Sequence, residues 1–357
     1  MSAPVSYEVI MKNRFFAIIA LCVLVLNLCG STLAHTKGSK TQTNQLVALL
    51  PASDGVLTLD VKRFFADALP KILSANQPML AGILAKIDEV KSKTGIDIRE
   101  FEYFAAGVTA KKINAKDYDI DPVIIARGRI NAGALIAMAK LAANGKYREV
   151  KVGDKTIYIF TAKEIAKQQK PKNLTPKKAE MIDKMIGRLS REIAVTAIDA
   201  NTLAFGALPL VRQTLEARTH VGSDLTGLLE RKEISVLNFA AKVPSGMHAF
   251  LPLGNDELGK NLNSIRYIAG NIDVGGESTM LHMMAKTLQN EQAQGLLETL
   301  EGLQIVGKAF LRSAKGADKQ VYARLIENVK FSVKGNEVAF DLQIPQSEID
   351  VLIGLIK

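Results

Sequence analysis

Residues 328–353 read NVKFSVKGNEVAFDLQIPQSEIDVLI. Apolar and polar residues alternate from Val329 to Lys334 and again from Val338 to Ile344, the period of a strand with one buried face. Lys334-Gly335-Asn336 between them is turn chemistry, so the stretch is a β-hairpin. Ser347 then opens a capped terminal helix, SEIDVLIGLIK. A hairpin whose second strand runs directly into a helix is the unit from which the rest of the chain is read.

The same unit recurs upstream. REVKVGDKTIYIF is a hairpin turning at Gly153-Asp154, EIAVTAIDANTLAFGAL is another, and a helix follows it through Leu215. RYIAGNIDVGGESTMLHMMAKT turns at Gly275-Gly276. It precedes a long helix with Ala293, Leu296, Leu297, Leu300 and Leu303 on one face. Earlier come the strands EYFAAGVT and PVIIARGRI, a helix from Ala132 to Ala143, and an amphipathic helix with Gly95 as its C-cap. Pro70 is expected to kink or break the helix that begins near Phe64. LVALLPASDGVLTLDV is read as extended structure interrupted by a Pro-Ala-Ser-Asp-Gly turn. The expected fold is therefore α+β: antiparallel sheets built from hairpins, helices packed on one face, and two similar halves at 46–219 and 220–357. No strict short-period repeat is present, which disfavours a solenoid.

The residues LLPASDGVLTLDVKRFF, KTGIDIREFEYFAAGV and NVKFSVKGNEVAFDLQIPQSEIDVLI resemble a family of exported bacterial proteins that carry a domain of unknown function. The likeness extends over most of residues 46–356. It implies an exported α+β protein and brings no catalytic, metal or cofactor residue with it.

Export is also read directly from residues 1–34. Lys12 and Arg14 precede an uninterrupted apolar run from Phe15 to Leu26. As a helix that run reaches only about 18 Å, against the ~30 Å that a spanning helix must cross. Thr32 and Ala34 are small residues at the −3 and −1 positions of a signal-peptidase site, so cleavage before His35 is expected. Met11 is the expected start. A lipid anchor on Cys29 is the second reading, disfavoured by the bulky Leu28 before it. Residues 35–45 form a polar spacer. Both cysteines, Cys22 and Cys29, lie in the leader, so the exported chain has no thiol for disulfides, nucleophilic catalysis or metal ligation. The expected location is the periplasm or cell envelope.

Charge is concentrated in one place. Of the formal net charge of +10, residues 162–191 supply +6, with nine Lys/Arg against three acids. Two prolines and little apolar periodicity mark this segment as a basic loop. Lys163, Lys167, Lys170, Lys172, Lys177 and Lys178 are its candidate contacts with an anionic surface. Without aromatic residues interleaved for stacking, the loop is not a nucleic-acid site.

Catalytic motifs are absent: there is no Gly-x-Ser-x-Gly, His-Glu-x-x-His, Walker A or Gly-x-Gly-x-x-Gly sequence. Asp117, Asp119 and Asp121 open like a calcium loop, but Pro122 and Gly128 occupy the positions that need Gly and Glu. Met280, His282 and Met284 share one strand face and form a soft donor set suited to Cu(I). Core packing is the competing account of those methionines, because Leu281, Met283 and Ala285 make the other face apolar too. Asp199, Asp256 and Asp273 are scattered carboxylates with no motif to pair them. No metal, cofactor or catalytic residue is therefore assigned. The leading expectation is a non-catalytic binding or scaffolding protein of the envelope, with an envelope protein or the anionic membrane surface as partner. A carrier of lipid or another apolar ligand comes second, and a hydrolase with a dispersed site third.

Overall fold

The computed structural model describes residues 38–113, 118–161, 192–229, 235–244, 261–312 and 316–354. Helix α1 (Gly38–Val47) leads into β1 (Gly55–Asp60). A continuous helical stretch follows, made of α2 (Val61–Arg63), a π-turn at Phe64–Ala68 and α3 (Leu69–Ile72). Next come α4 (Gln77–Thr94), β2 (Phe101–Lys112), β3 (Tyr118–Gly128) and α5 (Ala132–Ala142). The hairpins β4 (Tyr147–Val152)–β5 (Lys155–Thr161) and β6 (Glu192–Asp199)–β7 (Thr202–Gly206) precede α6 (Leu208–Glu216) and α7 (Ser223–Leu229). The second half holds β8 (Leu237–Lys242), β9 (Ile265–Gly275), β10 (Ser278–Thr287), α8 (Asn290–Arg312), α9 (Ala317–Asn328), β11 (Lys330–Lys334), β12 (Glu337–Pro345) and α10 (Gln346–Gly354). The fold is α+β, and each hairpin turn falls where the sequence places it. Gly335, for example, takes a φ of 58° between β11 and β12.

The twelve strands among the described residues form a single antiparallel sheet in the order β11-β12-β10-β9-β8-β1-β2-β3-β7-β6-β5-β4. The first half joins the second through β1 and β8, with Leu57 opposite Phe239. Outward from that pair, β1-β2-β3-β7-β6 mirrors β8-β9-β10-β12-β11. The two series thus repeat one strand order and meet at β1–β8 in one continuous sheet. The hairpin β4–β5 is an addition to the first half alone. Both outer strands carry charge, Lys330 and Lys334 on β11 and Arg148, Glu149 and Lys151 on β4. Charged edge strands discourage pairing with further chains.

Helices cover both faces of the sheet, where one face was expected. On the first face, Val56, Ala105, Val123, Ile125, Ala204 and Ala240 join the apolar cores of α1, α6 and α7. On the opposite face three separate clusters form. Ala126 and Leu203 pack with α5, Val274 packs with α3 and α10, and Val338 packs with α8. The hairpin-to-helix order is satisfied by either face, and the choice between them is made by which strand residues are apolar.

Two local expectations change. The run Leu46–Leu50 is not extended: α1 reaches into it and turns at Leu49 and Leu50, whose amides bond the carbonyls of Leu46 and Val47. Leu46, Val47 and Leu50 thereby meet on one buried side, and α1 begins inside the segment read as a polar spacer. Pro70 neither breaks nor ends its helix. The π-turn just before it, closed by the Leu69 amide on the Phe64 carbonyl, widens the helix where proline lacks a donor.

After α4, which ends at Gly95 as expected, Asp97 anchors the link to β2. Its carboxylate receives two bonds from Arg99, at 2.8 and 2.9 Å, and lies 3.0 Å from Lys91. The Arg99 guanidinium holds the Asp97 carboxyl far below the usual carboxylate range, against the opposing effect of burial. With its folded-state pKa depressed, Asp97 contributes stability that is complete above its unfolded value of about 3.9 and is lost as pH falls below it. Asp97→Asn is expected to cost about 1–2 kcal/mol at pH 7 and to flatten the acid limb of stability, measured by urea unfolding between pH 2 and 6.

Candidate functional site

Helix α8 spans 23 residues and changes character along its length. In its first half Ala293, Leu296, Leu297 and Leu300 pack on β10 and β12, while Glu291, Gln294 and Glu298 face outward. From Leu303 onward the outward side becomes apolar. Ile305 is 67% exposed, Val306 66% and Phe310 73%. At 100° per residue these three and Leu303, Ala309 and Gly302 form one continuous arc. The inward side stays docked, because the Gln304 amide donates to the carbonyls of Ile326 and Val329 at 2.6 and 3.0 Å. Lys308 and Arg312 flank the arc, and the Arg312 Nε bonds Glu327 at 3.0 Å. An exposed apolar arc opposite a docked face marks a contact surface for a partner or a membrane.

The sequence reading had placed Leu303 with the core-facing leucines. It lies instead on the exposed arc, 44% accessible. The run Leu303–Leu311 (LQIVGKAFL) held the available signal, since Ile305, Val306 and Phe310 fall off the helical face that carries Leu296 and Leu300.

A second feature lies where α3 meets α10. Lys71 is only 9% exposed, and its Nζ is buried with no hydrogen-bond partner. The Gln346 Oε1 is also buried and unpartnered, as is the Oγ1 of Thr279, whose strand partners Val274 and Ile344 belong with the apolar cluster beneath the junction. It is otherwise lined by the apolar cluster of Leu69, Ile72, Val274 and Ile349.

The candidates read from sequence fall out as follows. The six lysines of the basic loop, and the whole of 162–191, lie outside the described residues, as do Asp117, Asp256 and the leader. Asp119 and Asp121 sit on β3, where Asp121 bonds Lys111 at 2.7 Å, so this stretch is a strand of the β2–β3 hairpin. Asp199 caps the β6–β7 turn through the Asn201 amide, whereas Asp273 on β9 pairs with Arg63 at 2.9 Å. Those two carboxylates are therefore not brought together.

Met280, His282 and Met284 do share one face of β10, but that face is not closed over. Met280 is 44% exposed, Met284 is buried in the main core, and the His282 Nδ1 lies 2.6 Å from the Asp341 carboxylate. Asn271 and Asp341 are the cross-strand neighbours of His282, so this part of the sheet presents a polar row. No group of three His, Cys, Asp or Glu residues able to hold a metal occurs among the described residues. No described helix is long and apolar enough to cross a membrane.

No family model and no curated protein matches this chain. Among solved structures it is similar to crystal form IV of TP0453, with a TM-score of 0.42 and 9% identity, over 89% of this chain and 100% of that one. Crystal form III of TP0453 gives a TM-score of 0.41 and 10% identity, over 87% and 98% of the two chains. No functional property is carried over from these likenesses.

Proposed function

We propose that this is a non-catalytic binding protein of the cell envelope that docks on a lipid surface through the last third of α8. The observation that carries the reading is the apolar arc of Ile305, Val306 and Phe310, each about two-thirds exposed or more. Lying in the plane of a bilayer, such an arc enters the boundary between headgroups and acyl chains, and flanking cations such as Lys308 and Arg312 reach back to the headgroups. Export, read from the leader, would bring the arc to such a surface. The charge of residues 162–191 adds long-range attraction to anionic lipid, at roughly 1 kcal/mol per basic residue near the membrane.

Sedimentation with anionic phospholipid vesicles tests the reading, and no binding at low salt would refute it. Replacing Lys163, Lys167, Lys170, Lys172, Lys177 and Lys178 with glutamine is expected to weaken that binding and remove most of its salt dependence, while apolar anchoring persists. Unchanged salt dependence in this variant would show that the loop plays no part.

A carrier of an apolar ligand is the second reading. It is favoured by a row of half-buried side chains across the sheet: Phe205, Ile124, Leu57, Phe239, Met283 and Phe340. Native mass spectrometry of the protein from its own envelope separates the two, because a carrier retains lipid after leaving the membrane.

A further inference from the structure

We infer that the junction of α3, α10 and β10 is an internal binding site for a phosphate monoester, with Lys71, Gln346 and Thr279 as its polar groups. A buried ammonium without a partner bears the whole cost of lost hydration, so it calls for an anion. Lys71 is in that position, buried among apolar residues with no hydrogen-bond partner for its Nζ.

Gln346 refines the class of ligand. Its Nε2 donates to the Lys71 carbonyl at 2.9 Å and to the Asp350 carboxylate at 2.8 Å. Both of those partners are pure acceptors, which fixes the orientation of the amide and leaves Oε1 as an orphaned acceptor. The Gln346 backbone amide meanwhile bonds the Glu277 carbonyl at 2.9 Å, two residues before Thr279. Hydrogen bonds thus tie Lys71, Gln346 and the start of β10 into one junction. A ligand must accept from Lys71 and donate to Gln346, and the Thr279 hydroxyl serves either way. A phosphate monoester near neutral pH offers both, through charged oxygens and a P–OH. Sulfate offers acceptors only. Inorganic phosphate and the headgroup of a single-chain phospholipid share this chemistry, and apolar side chains of the neighbouring cluster adjoin the junction.

The test is thermal unfolding of the full exported chain with three probes: inorganic phosphate, sulfate, and 1-acyl-glycerol-3-phosphate below its micelle concentration. The wild-type midpoint is expected to rise saturably with either phosphate compound, by about 4 °C at a hundredfold excess over the dissociation constant, and to ignore sulfate. A stronger response to the acyl compound assigns the site to a lipid headgroup, and an equal one to the free ion. Lys71→Met is expected to abolish the response. Thr279→Val, a milder change should Lys71→Met fail to fold, is expected to weaken it about tenfold. A wild-type midpoint indifferent to all probes, or an equal rise with sulfate, overturns the proposal. The α8 arc has no part in this measurement, so either idea can fail alone.

Discussion

Replacing Ile305 and Val306 together with glutamate is expected to weaken binding to anionic vesicles more than a hundredfold and leave the fold intact. Each of these side chains is about two-thirds exposed or more. Fully burying one such residue is worth roughly 1.5–3 kcal/mol, so immersing the exposed part of each contributes about 1–2 kcal/mol. The pair supplies about 3 kcal/mol, more than two decades of affinity, before repulsion between glutamate and anionic lipid is counted. Because neither residue touches the sheet cores, the thermal midpoint should stay within a degree or two. Retention of wild-type vesicle binding by the folded variant would remove α8 from the mechanism. Loss of folding would mean that the arc is covered from within the protein.

Much of the fold was legible because its periodicities are strong. The β11–β12 hairpin alternates over both strands with a glycine turn, and its register follows with Val333 opposite Val338. The single sheet was not legible. The β1–β8 pair that joins the halves links residues some 180 positions apart, and nothing local marks Leu57 and Phe239 as partners. Placement of helices on two faces was hidden for a related reason. Val56 and Leu57 are both apolar, so alternation in β1 does not assign the helices to one face or the other.

The candidate sites were less legible than the fold. An exposed apolar helix end looks like core in a sequence, since Leu303 continues the spacing of Leu296 and Leu300 without a break. Lys71 looks like an ordinary surface lysine beside Pro70, and only the packing of α10 against α3 buries it. The methionine–histidine face was legible as an alternation. Its environment, polar at Asp341 and closed over Met284, depended on strand neighbours that the sequence does not name.

The second large effect is expected at Gly206, the last residue of β7, where the chain leaves the sheet for α6. Gly206 has a φ of 148°, a conformation that side-chain-bearing residues rarely adopt. A Cβ there would lie 2.2 Å from the Pro122 carbonyl oxygen and 2.8 Å from the Val123 Cα, both backbone atoms of the neighbouring strand. That carbonyl already accepts the Ala207 amide at 2.8 Å, the bond that turns the chain toward α6. Gly206→Ala must therefore strain the backbone and push β3 aside, each at about 1–3 kcal/mol. A total of about 3–5 kcal/mol is a large share of the 5–15 kcal/mol that keeps a domain folded. Gly302→Ala on α8 is the contrast: its Cβ would meet nothing within 4 Å, and a helical glycine costs about 0.5–1 kcal/mol relative to alanine. Urea unfolding should thus find Gly206→Ala strongly destabilised and Gly302→Ala slightly stabilised. A cost below about 1 kcal/mol at Gly206 would contradict the close approach of β7 to β3 at the point where the chain turns into α6.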